Sequence, residues 1–479
     1  MKIKMFSLFN QKVFRPTFFL LIFSFLAFSQ TNFGQTPTPS PLTSETPKPA
    51  PKGKLPVIII PGLLGSELIN KETNETVWFD LARSKDDDLR LPISANIAAN
   101  RDKLVPGDIL RNIKYLKFLP QTEIYQKAAT SLEVPGDYKE GKWDAPDANG
   151  FQDAYYVFPY DWRRDNVENA RLLIQKIDDL KRKFKRPDLK FNIVAHSMGG
   201  LIARYAAMYG DADLPAGNRR IAPTWAGASR INKIFLVGTP NEGSVTTVDA
   251  FINGYTVGPI NLPFIQDLSR FDMFTIPALY QLLPHAGTVH AFDENLKPLQ
   301  IDIYNPATWE KYGWAAYTDP NFSKQFTIQE QAQAKAYFRA ALNRARRFNE
   351  ALDAASNAKI AVSFYILGSD CKQTVDAMVI YRSEKKDKWQ TLFRASGFKR
   401  SNGTRVTAKE LEDLLYVKGD GVVAQRSALT SSLPYAKLQT GGYKTALPVR
   451  DVSFVCDVHN RLLSNDDVQK KLFVDLLGK

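Results

Sequence analysis

The feature that most constrains the fold of this chain is a serine between an apolar run and a helical run. The run FNIVA at residues 191–195 has the length and composition of a buried β-strand. Residues 201–208, LIARYAAM, follow two glycines and predict a helix. Ser197 therefore lies on a sharp turn between the two elements. Such a turn is crowded, and Ala195 and Gly199 supply the small residues that it needs on either side.

This arrangement predicts a nucleophilic serine on a strand–turn–helix elbow, which is the geometry of α/β-hydrolases. Ala195 departs by one methyl group from the glycine that is usual two positions before the serine. The alternative is a serine in an ordinary turn. The rest of the chain must therefore supply an acid, a base and oxyanion donors before Ser197 is interpreted as catalytic.

Other apolar and periodic segments predict the surrounding fold. Further strands are predicted at 56–62, 153–160, 231–238 and 361–368, and helices at 166–186 and 329–355. Strands that alternate with helices form parallel sheets. The predicted fold class is therefore α/β, an α/β-hydrolase with a mostly parallel sheet flanked by helices. Segments without sheet-like runs predict inserted caps at about 80–150 and 244–328.

The N-terminus has the features of an export signal. Basic residues precede an apolar run at 18–28, and Ala27 and Ser29 have the spacing of a cleavage site. We therefore expect a signal peptide over residues 1–29 and export to the periplasm, cell envelope or exterior; an uncleaved membrane anchor is the alternative. Residues 30–54 are rich in Thr, Pro and Ser and predict a linker. The hydrolase domain is expected to span 55–479.

Charge and cysteine content limit the partners of the protein. The formal net charge of +13 favours anionic surfaces such as phospholipid headgroups, although a solvated basic surface also accounts for it. The sequence has no zinc-ligand cluster and no aromatic RNA-binding signature, so we expect no nucleic-acid partner.

Cys371 and Cys456 are too few for a disulfide framework, but export would allow them to form one bridge.

Candidate oxyanion donors and an acid lie at strand ends. The loop after the first strand and the residue after the serine place the backbone N–H groups of Leu64 and Met198 in the donor positions. Asp420 stands between two glycines after a late strand, where it can project toward a histidine. Asp451 and Asp457 are rival acids, and a Gly-Asp-Gly sequence is also common in surface turns.

The base is predicted to be His459, just before the C-terminal helix. The chain contains four histidines. His196 adjoins the serine and is expected to pack or orient the turn, and His285 and His290 lie in the second predicted cap. The order Ser197, Asp420, His459 is the chain order of α/β-hydrolase triads.

Ordered blocks of sequence resemble the lecithin:cholesterol acyltransferase-like lipases, which include lysosomal phospholipase A2. The blocks are IPGLLGS at 60–66, PYDWR at 159–163, AHSMGG at 195–200, GTPNEGS at 238–244, PALYQLLP at 277–284, GDG at 419–421 and HNRLL at 459–463. The resemblance implies that Leu63 and Trp78 bind substrate and that no cofactor is required. It also implies hydrolysis or transfer of a fatty acyl chain from a phospholipid. The paired cysteines that pin the family's lid near Trp78 are absent from this sequence.

The sequence therefore predicts an exported serine hydrolase or O-acyltransferase with an acyl-enzyme on Ser197 and a lipid or membrane surface as its partner. A soluble carboxylesterase or thioesterase with a non-lipid substrate is one alternative. A hydrolase-fold binding protein without catalysis is the other, and the ordered triad argues against it.

Overall fold

A seven-stranded parallel sheet forms the centre of the computed structural model. It consists of β1 (Val57–Ile60), β2 (Lys139–Glu140), β3 (Ala154–Val157), β4 (Phe191–His196), β5 (Ile231–Val237), β6 (Ser363–Ser369) and β7 (Val449–Val455). The spatial order is β7-β6-β5-β4-β1-β3-β2, and every pair of neighbours runs parallel. The strands are rich in Val, Ile and Phe because the sheet is covered on its faces. This architecture confirms the predicted α/β-hydrolase fold class.

The described residues are 53–79, 89–113, 122–147, 152–217, 219, 221–256, 267–356, 361–383, 387–438 and 442–477. The predicted signal peptide and residues 30–52 of the predicted linker lie outside them. Within these ranges, the helices are all too short or too polar to cross a bilayer.

Helices connect and cover the strands. They are α1 (Gln126–Glu133), α2 (Asn166–Lys183), α3 (Met198–Tyr209), α4 (Val245–Asn253), α5 (Arg270–Phe274), α6 (Pro277–Tyr280), α7 (Pro306–Tyr312), α8 (Phe322–Gln325), α9 (Ile328–Leu352), α10 (Ala408–Leu415), α11 (Gln425–Leu429) and α12 (Asp466–Leu477). Local signals set their starts: the Asp165 side chain accepts the N–H groups of Val167 and Glu168 at the start of α2. A capping box of Thr327 and Glu330 begins α9.

The sequence alone predicts that the loop after the first strand covers residues 63–68, and the structure differs there. An antiparallel sheet forms there from Ser66–Asn70, Thr76–Trp78 and Leu104–Ile109, so the loop ends at residue 65. Side chains alternate between buried and half-exposed along Ser66–Asn70, but two of the buried ones are polar. A hydrophobic pattern therefore could not reveal this strand. The predicted strand at 153–160 is also shorter than expected because Pro159, which lacks an N–H, follows β3 closely.

The described part of the predicted cap at 244–328 contains several short helices, and its buried aromatic side chains join the same hydrophobic core as the central sheet. Phe274 stacks on Phe338 of α9 with ring centroids 5.9 Å apart and meets Tyr337 edge-on at 5.4 Å. The cap is thus fixed to the body by aromatic packing.

A second small core lies outside both predicted caps. It comprises Ala377, Val379, Phe398, Val406, Leu411 and Leu415. These residues belong to an insertion between β6 and Asp420, which the sequence analysis did not recognise. The insertion includes a ribbon of Lys372–Val375 paired with Tyr416–Gly419, and this ribbon leads directly into Asp420.

Replacing Phe274 by alanine tests whether the cap shares the main core. We expect Phe274→Ala to lower the free energy of unfolding by about 3–5 kcal/mol, because it removes a fully packed ring. The matched control is Ile328→Ala, since the Ile328 side chain is 82% exposed and its loss should change stability by less than about 0.5 kcal/mol. Denaturant unfolding measures both. Equal effects would contradict a shared core.

Candidate active site

Ser197 occupies a strained position between β4 and α3. Its φ of 54° and ψ of −127° are unusual for any residue with a Cβ atom. The surroundings hold the turn: the Ser197 N–H donates to the carbonyl of Val237 at 2.8 Å, and its own carbonyl accepts the Gly200 N–H at 3.0 Å. The turn therefore presents the Ser197 hydroxyl at the carboxyl end of the sheet.

Steric contacts explain the glycines around the serine. A Cβ on Gly199 would lie 2.4 Å from the carbonyl oxygen of Pro61, and one on Gly200 would lie 2.0 Å from Oγ1 of Thr239. Neither position accepts a larger residue without movement of the main chain or the neighbouring strand end. Ala195, in contrast, is fully buried with its methyl group in place.

The structure brings Ser197, His459 and Asp420 together in one hydrogen-bonded row. His459 Nε2 lies 2.9 Å from Ser197 Oγ, and His459 Nδ1 lies 2.7 Å from Asp420 Oδ2. An ionised carboxylate can only accept, so Nδ1 carries the proton and Nε2 offers its lone pair to the serine hydroxyl. This is the geometry required for a base that removes the serine proton.

Asp420 is kept ionised by the groups around it. It is 2% exposed, and its Oδ1 accepts the backbone N–H groups of Val422 at 2.9 Å and Val423 at 2.7 Å. Burial alone would raise the pKa of Asp420, but His459 and these two N–H groups outweigh it, and the pKa lies below its usual value of 3.8. The sequence analysis did not predict the two N–H donors. An aspartate before a tight turn, which accepts N–H groups two and three residues ahead, was the available signal.

The rival acids are engaged elsewhere. Asp457 accepts the Val458 N–H at 2.9 Å and the Asn465 side chain at 3.0 Å. Asp451 pairs with Lys471 on α12. His285 is buried against Asp353 at 2.7 Å, which accounts for another of the four histidines.

The predicted oxyanion donors lie in suitable local structure. Leu64 has a φ of 62°, in a turn closed by a hydrogen bond of 3.1 Å from the Gly65 N–H to the Gly62 carbonyl. Met198 is the first residue of α3, where N–H groups have no partner within the helix. Among the described residues, neither the Leu64 N–H nor the Met198 N–H donates a hydrogen bond. Both are therefore open to an incoming oxygen.

Trp78 does not lie where the resemblance implied. It is fully buried and packs edge-on against Trp162 with ring centroids 5.5 Å apart. Its indole N–H donates to the carbonyl of Leu64 at 2.9 Å. Trp78 therefore contacts the loop that carries Leu64, where the polar edge of its indole finds a buried acceptor. It is not among the described residues that line the cavity beside Ser197. Leu63, the other residue implied to bind substrate, does line the cavity.

An apolar cavity of about 120 Å³ opens onto Ser197 and His459. Its other lining residues are Leu63, Leu64, Trp162, Pro240, Ser244, Thr246, Thr247, Ala250, Tyr255, Leu268, Met273, Ile276, Leu279, Leu282, Val422 and Val423. None of these is Asp, Glu, Lys or Arg. The predicted cap at 244–328 supplies much of the wall. Such a cavity favours an uncharged hydrocarbon group and disfavours a buried charge.

A disulfide between Cys371 and Cys456 links the start of the ribbon that leads to Asp420 with the loop that carries His459. Cys371 adjoins Lys372, which pairs with Gly419 immediately before Asp420. Cys456 precedes His459 by three residues. The bond therefore limits the separation of the two loops.

Comparisons with known proteins found one matching protein family and several solved structures with a similar fold. The family model of lecithin:cholesterol acyltransferase matches residues 147–429. No curated protein sequence matches significantly. The Tle4–Tli4 complex is 14% identical and covers 88% of this chain and 97% of that chain, with a TM-score of 0.48. The mature lipase BlEst2 of Bacillus licheniformis is 13% identical, with coverages of 90% and 94% and a TM-score of 0.32.

Removing the disulfide is expected to destabilise the protein. The disulfide closes a loop with a sequence separation of 85 residues. For a loop of this length, the lost entropy of the unfolded chain stabilises the fold by about 4–5 kcal/mol. The double substitution Cys371→Ser and Cys456→Ser should therefore lower the melting temperature. Dithiothreitol should lower the melting temperature of the wild type similarly and leave that of the double variant unchanged. An unchanged melting temperature in the double variant would contradict this expectation.

The lowered pKa of Asp420 predicts a pH-dependent contribution to stability. Since the pKa is lower in the folded chain than in the unfolded chain, ionised Asp420 stabilises the fold above the unfolded value. This contribution is lost as the pH falls through the folded value. Asp420→Asn should therefore be less stable than the wild type at about pH 7, and the difference should narrow below about pH 4. Denaturant unfolding across this range measures it, with exposed Asp144→Asn as the control. A constant difference would contradict the assignment.

Proposed function

Because the chain belongs to the lecithin:cholesterol acyltransferase family, and is therefore a lipid ester hydrolase or acyltransferase, we propose that it cleaves or transfers a fatty acyl group of a phospholipid through an acyl-enzyme on Ser197. The observation that carries this proposal is the row Asp420–His459–Ser197 at the mouth of an apolar cavity. The contacts of these residues define how the reaction would proceed.

In the first step, Ser197 Oγ attacks the carbonyl carbon of the ester while His459 Nε2 takes the hydroxyl proton. The carbonyl π bond breaks, and its electron pair moves to the oxygen. The N–H groups of Leu64 and Met198 stabilise this oxyanion. Two donors fixed in place contribute several kcal/mol to lowering a barrier of this kind, as each is worth roughly 3–4 kcal/mol in known cases.

In the second step, His459 returns the proton to the leaving alcohol oxygen as the ester bond breaks. The acyl group then remains on Ser197 as an ester. Water or a second alcohol next gives its proton to His459 and attacks the acyl carbon. His459 then returns this proton to Ser197 Oγ as the bond between Ser197 and the acyl group breaks, which restores the free serine. Water gives a free fatty acid and an alcohol gives a new ester, so the acceptor decides between hydrolysis and transfer.

The cavity supports a fatty acyl chain as the bound part of the substrate. Among the residues that the structure describes, its walls carry leucine, isoleucine, methionine and valine side chains and no carboxylate, ammonium or guanidinium group. Burying a charged headgroup there would cost free energy without an ion partner. The acyl chain therefore enters the cavity and the headgroup stays at the surface.

We also propose that the protein is exported and meets its substrate at a lipid surface. The predicted signal peptide at 1–29 lies outside the described residues, and retention as an uncleaved anchor is the alternative. The disulfide supports an oxidising compartment. The formal net charge is +13 for the full sequence and remains +9 without residues 1–29, which contain four basic and no acidic residues, and either value favours an anionic membrane surface.

Labelling with a fluorophosphonate probe tests the nucleophile. Ser197→Ala should abolish labelling and acyl release from phosphatidylcholine vesicles, because the attacking oxygen is lost. Asp420→Asn should reduce the rate by roughly 10³- to 10⁴-fold, since His459 loses the carboxylate that fixes its tautomer. The control is Ser401→Ala, which removes an exposed hydroxyl and should label normally. Equal labelling of Ser197→Ala and wild type would refute the proposed function.

A comparison of vesicles with soluble esters tests the substrate class. We expect acyl release from vesicles, with a higher rate when phosphatidylglycerol is included, because the protein is basic. Analysis of the released lipids, with and without an added alcohol, separates hydrolysis from transfer. Turnover of soluble short-chain esters without any release from vesicles would instead indicate a soluble esterase.

A further inference from the structure

A second chain of hydrogen bonds joins parts of the site that the triad does not connect. The Gly62 N–H donates to the Tyr125 hydroxyl at 2.8 Å. The same hydroxyl lies 3.0 Å from His196 Nδ1, and His196 Nε2 lies 3.0 Å from the carbonyl oxygen of His459. These hydrogen bonds thus connect three parts of the site. They begin at the loop after β1 that contains Gly62 and Leu64 (the oxyanion loop), pass through His196, which precedes Ser197, and end at the backbone carbonyl of His459.

The chemistry of these groups fixes the direction of each bond. A carbonyl oxygen only accepts, so His196 Nε2 carries a proton and donates a hydrogen bond to the backbone carbonyl of His459. A neutral imidazole then has an acceptor at Nδ1, to which Tyr125 donates its single hydroxyl proton. The lone pairs of Tyr125 remain available for the Gly62 N–H. Every donor meets an acceptor, so the chain is fully satisfied.

His196 stays neutral in this position. It is 5% exposed, and burial lowers its pKa to about 3, with the neighbouring His459 also lowering it. Its ring packs beside that of His459 with centroids 4.9 Å apart. Both ring nitrogens are engaged, so His196 has no free atom with which to act as a second base.

The two ends of the chain are tied to the reacting groups. A Cβ on Gly62 would lie 2.8 Å from Cβ of Ser197, so the loop passes directly beside the nucleophile. The Gly62 carbonyl also closes the turn that contains Leu64. At the other end, the His459 N–H donates to the Asp420 carbonyl at 3.0 Å. The main chain of the base is therefore held on one side by the acid and on the other by His196.

Tyr125 is itself held firmly. It is 2% exposed, and it immediately precedes α1. Its N–H donates to the Arg111 carbonyl at 3.1 Å, and the Arg111 side chain pairs with Asp108 and Glu140. The first predicted cap, at about 80–150, thus contributes Tyr125 to the surroundings of the site.

We propose that Tyr125 and His196 are positioning residues that hold the oxyanion loop and His459 in register, so that the oxyanion donors and the base act on the same transition state. This inference rests on the proposed function. Neither residue contacts the substrate in this role. Their loss should lower kcat more than it changes KM, whereas a loss of stability alone would not act selectively on kcat.

Tyr125→Phe removes one hydroxyl and leaves Gly62 N–H and His196 Nδ1 unpaired. We expect kcat to fall by about 10- to 100-fold with KM changed by less than about threefold, because the misplaced groups act in the transition state. The matched control is Tyr209→Phe, which removes a buried hydroxyl that donates to the Ala351 carbonyl at 2.8 Å. The control should lose comparable stability and keep its kcat. Wild-type kcat in Tyr125→Phe, or equal losses of kcat in both variants, would overturn the inference.

Substitution of His196 tests whether both hydrogen bonds of its ring, to Tyr125 and to the carbonyl of His459, are needed. Glutamine offers a donor and an acceptor without a charge, whereas leucine offers neither. We expect His196→Gln to be at least about tenfold more active than His196→Leu and to keep the pH profile of the wild type. Equal activity of the two variants, or a shifted pH profile in His196→Gln, would count against a neutral positioning role.

Fluorophosphonate labelling rates of Ser197→Ala and Tyr125→Phe distinguish this inference from the proposed function. Loss of labelling in Ser197→Ala with slow labelling in Tyr125→Phe supports both. If Ser197→Ala labels like the wild type, the proposed function fails. If Ser197→Ala does not label and Tyr125→Phe labels at the wild-type rate, only the positioning role fails.

Discussion

The close approach of Gly199 to the main chain of Pro61 is the contact on which the site depends. It lets the turn after β4 sit directly against the loop after β1. This contact places Ser197 beside the loop that contains Leu64, and it leaves the first N–H groups of α3 facing the same region. The strained backbone of Ser197 persists because neighbouring strands fix both sides of the turn.

The acid and the base are brought to this turn by different means. Asp420 arrives at the end of a ribbon that belongs to a separate small core, and its carboxylate is fixed by N–H groups of its own loop. His459 is fixed mainly through its backbone and through a disulfide three residues earlier. Side-chain chemistry and main-chain placement are therefore supplied by different contacts.

Five strands of the central sheet were predictable because they are apolar runs whose period and length can be read locally, as in FNIVA at 191–195. Two others were not predicted: β2 has only two residues, both charged, inside the first predicted cap, and β7 carries charged residues at 450 and 451. The hydrogen-bonded row of Ser197, His459 and Asp420 could be predicted because an elbow serine limits which residues can lie beside it. Buried polar strands escaped prediction, as Ser66–Asn70 shows. Tyr125 also escaped it, because its partners Gly62 and His196 lie 63 and 71 residues away, and no local pattern encodes such contacts.

The described residues of the cavity wall carry no charged side chain, and this has a consequence for how the protein responds to salt. Dissolved salt screens exposed charges over about 10 Å and acts little on a site lined by hydrocarbon. Under the proposed function, ionic strength should then govern how often the basic exterior of the protein binds a lipid surface, and it should leave the bond-breaking steps unaltered. Recruitment and turnover can therefore be tuned by separate sets of residues, the first by surface charge and the second by cavity shape.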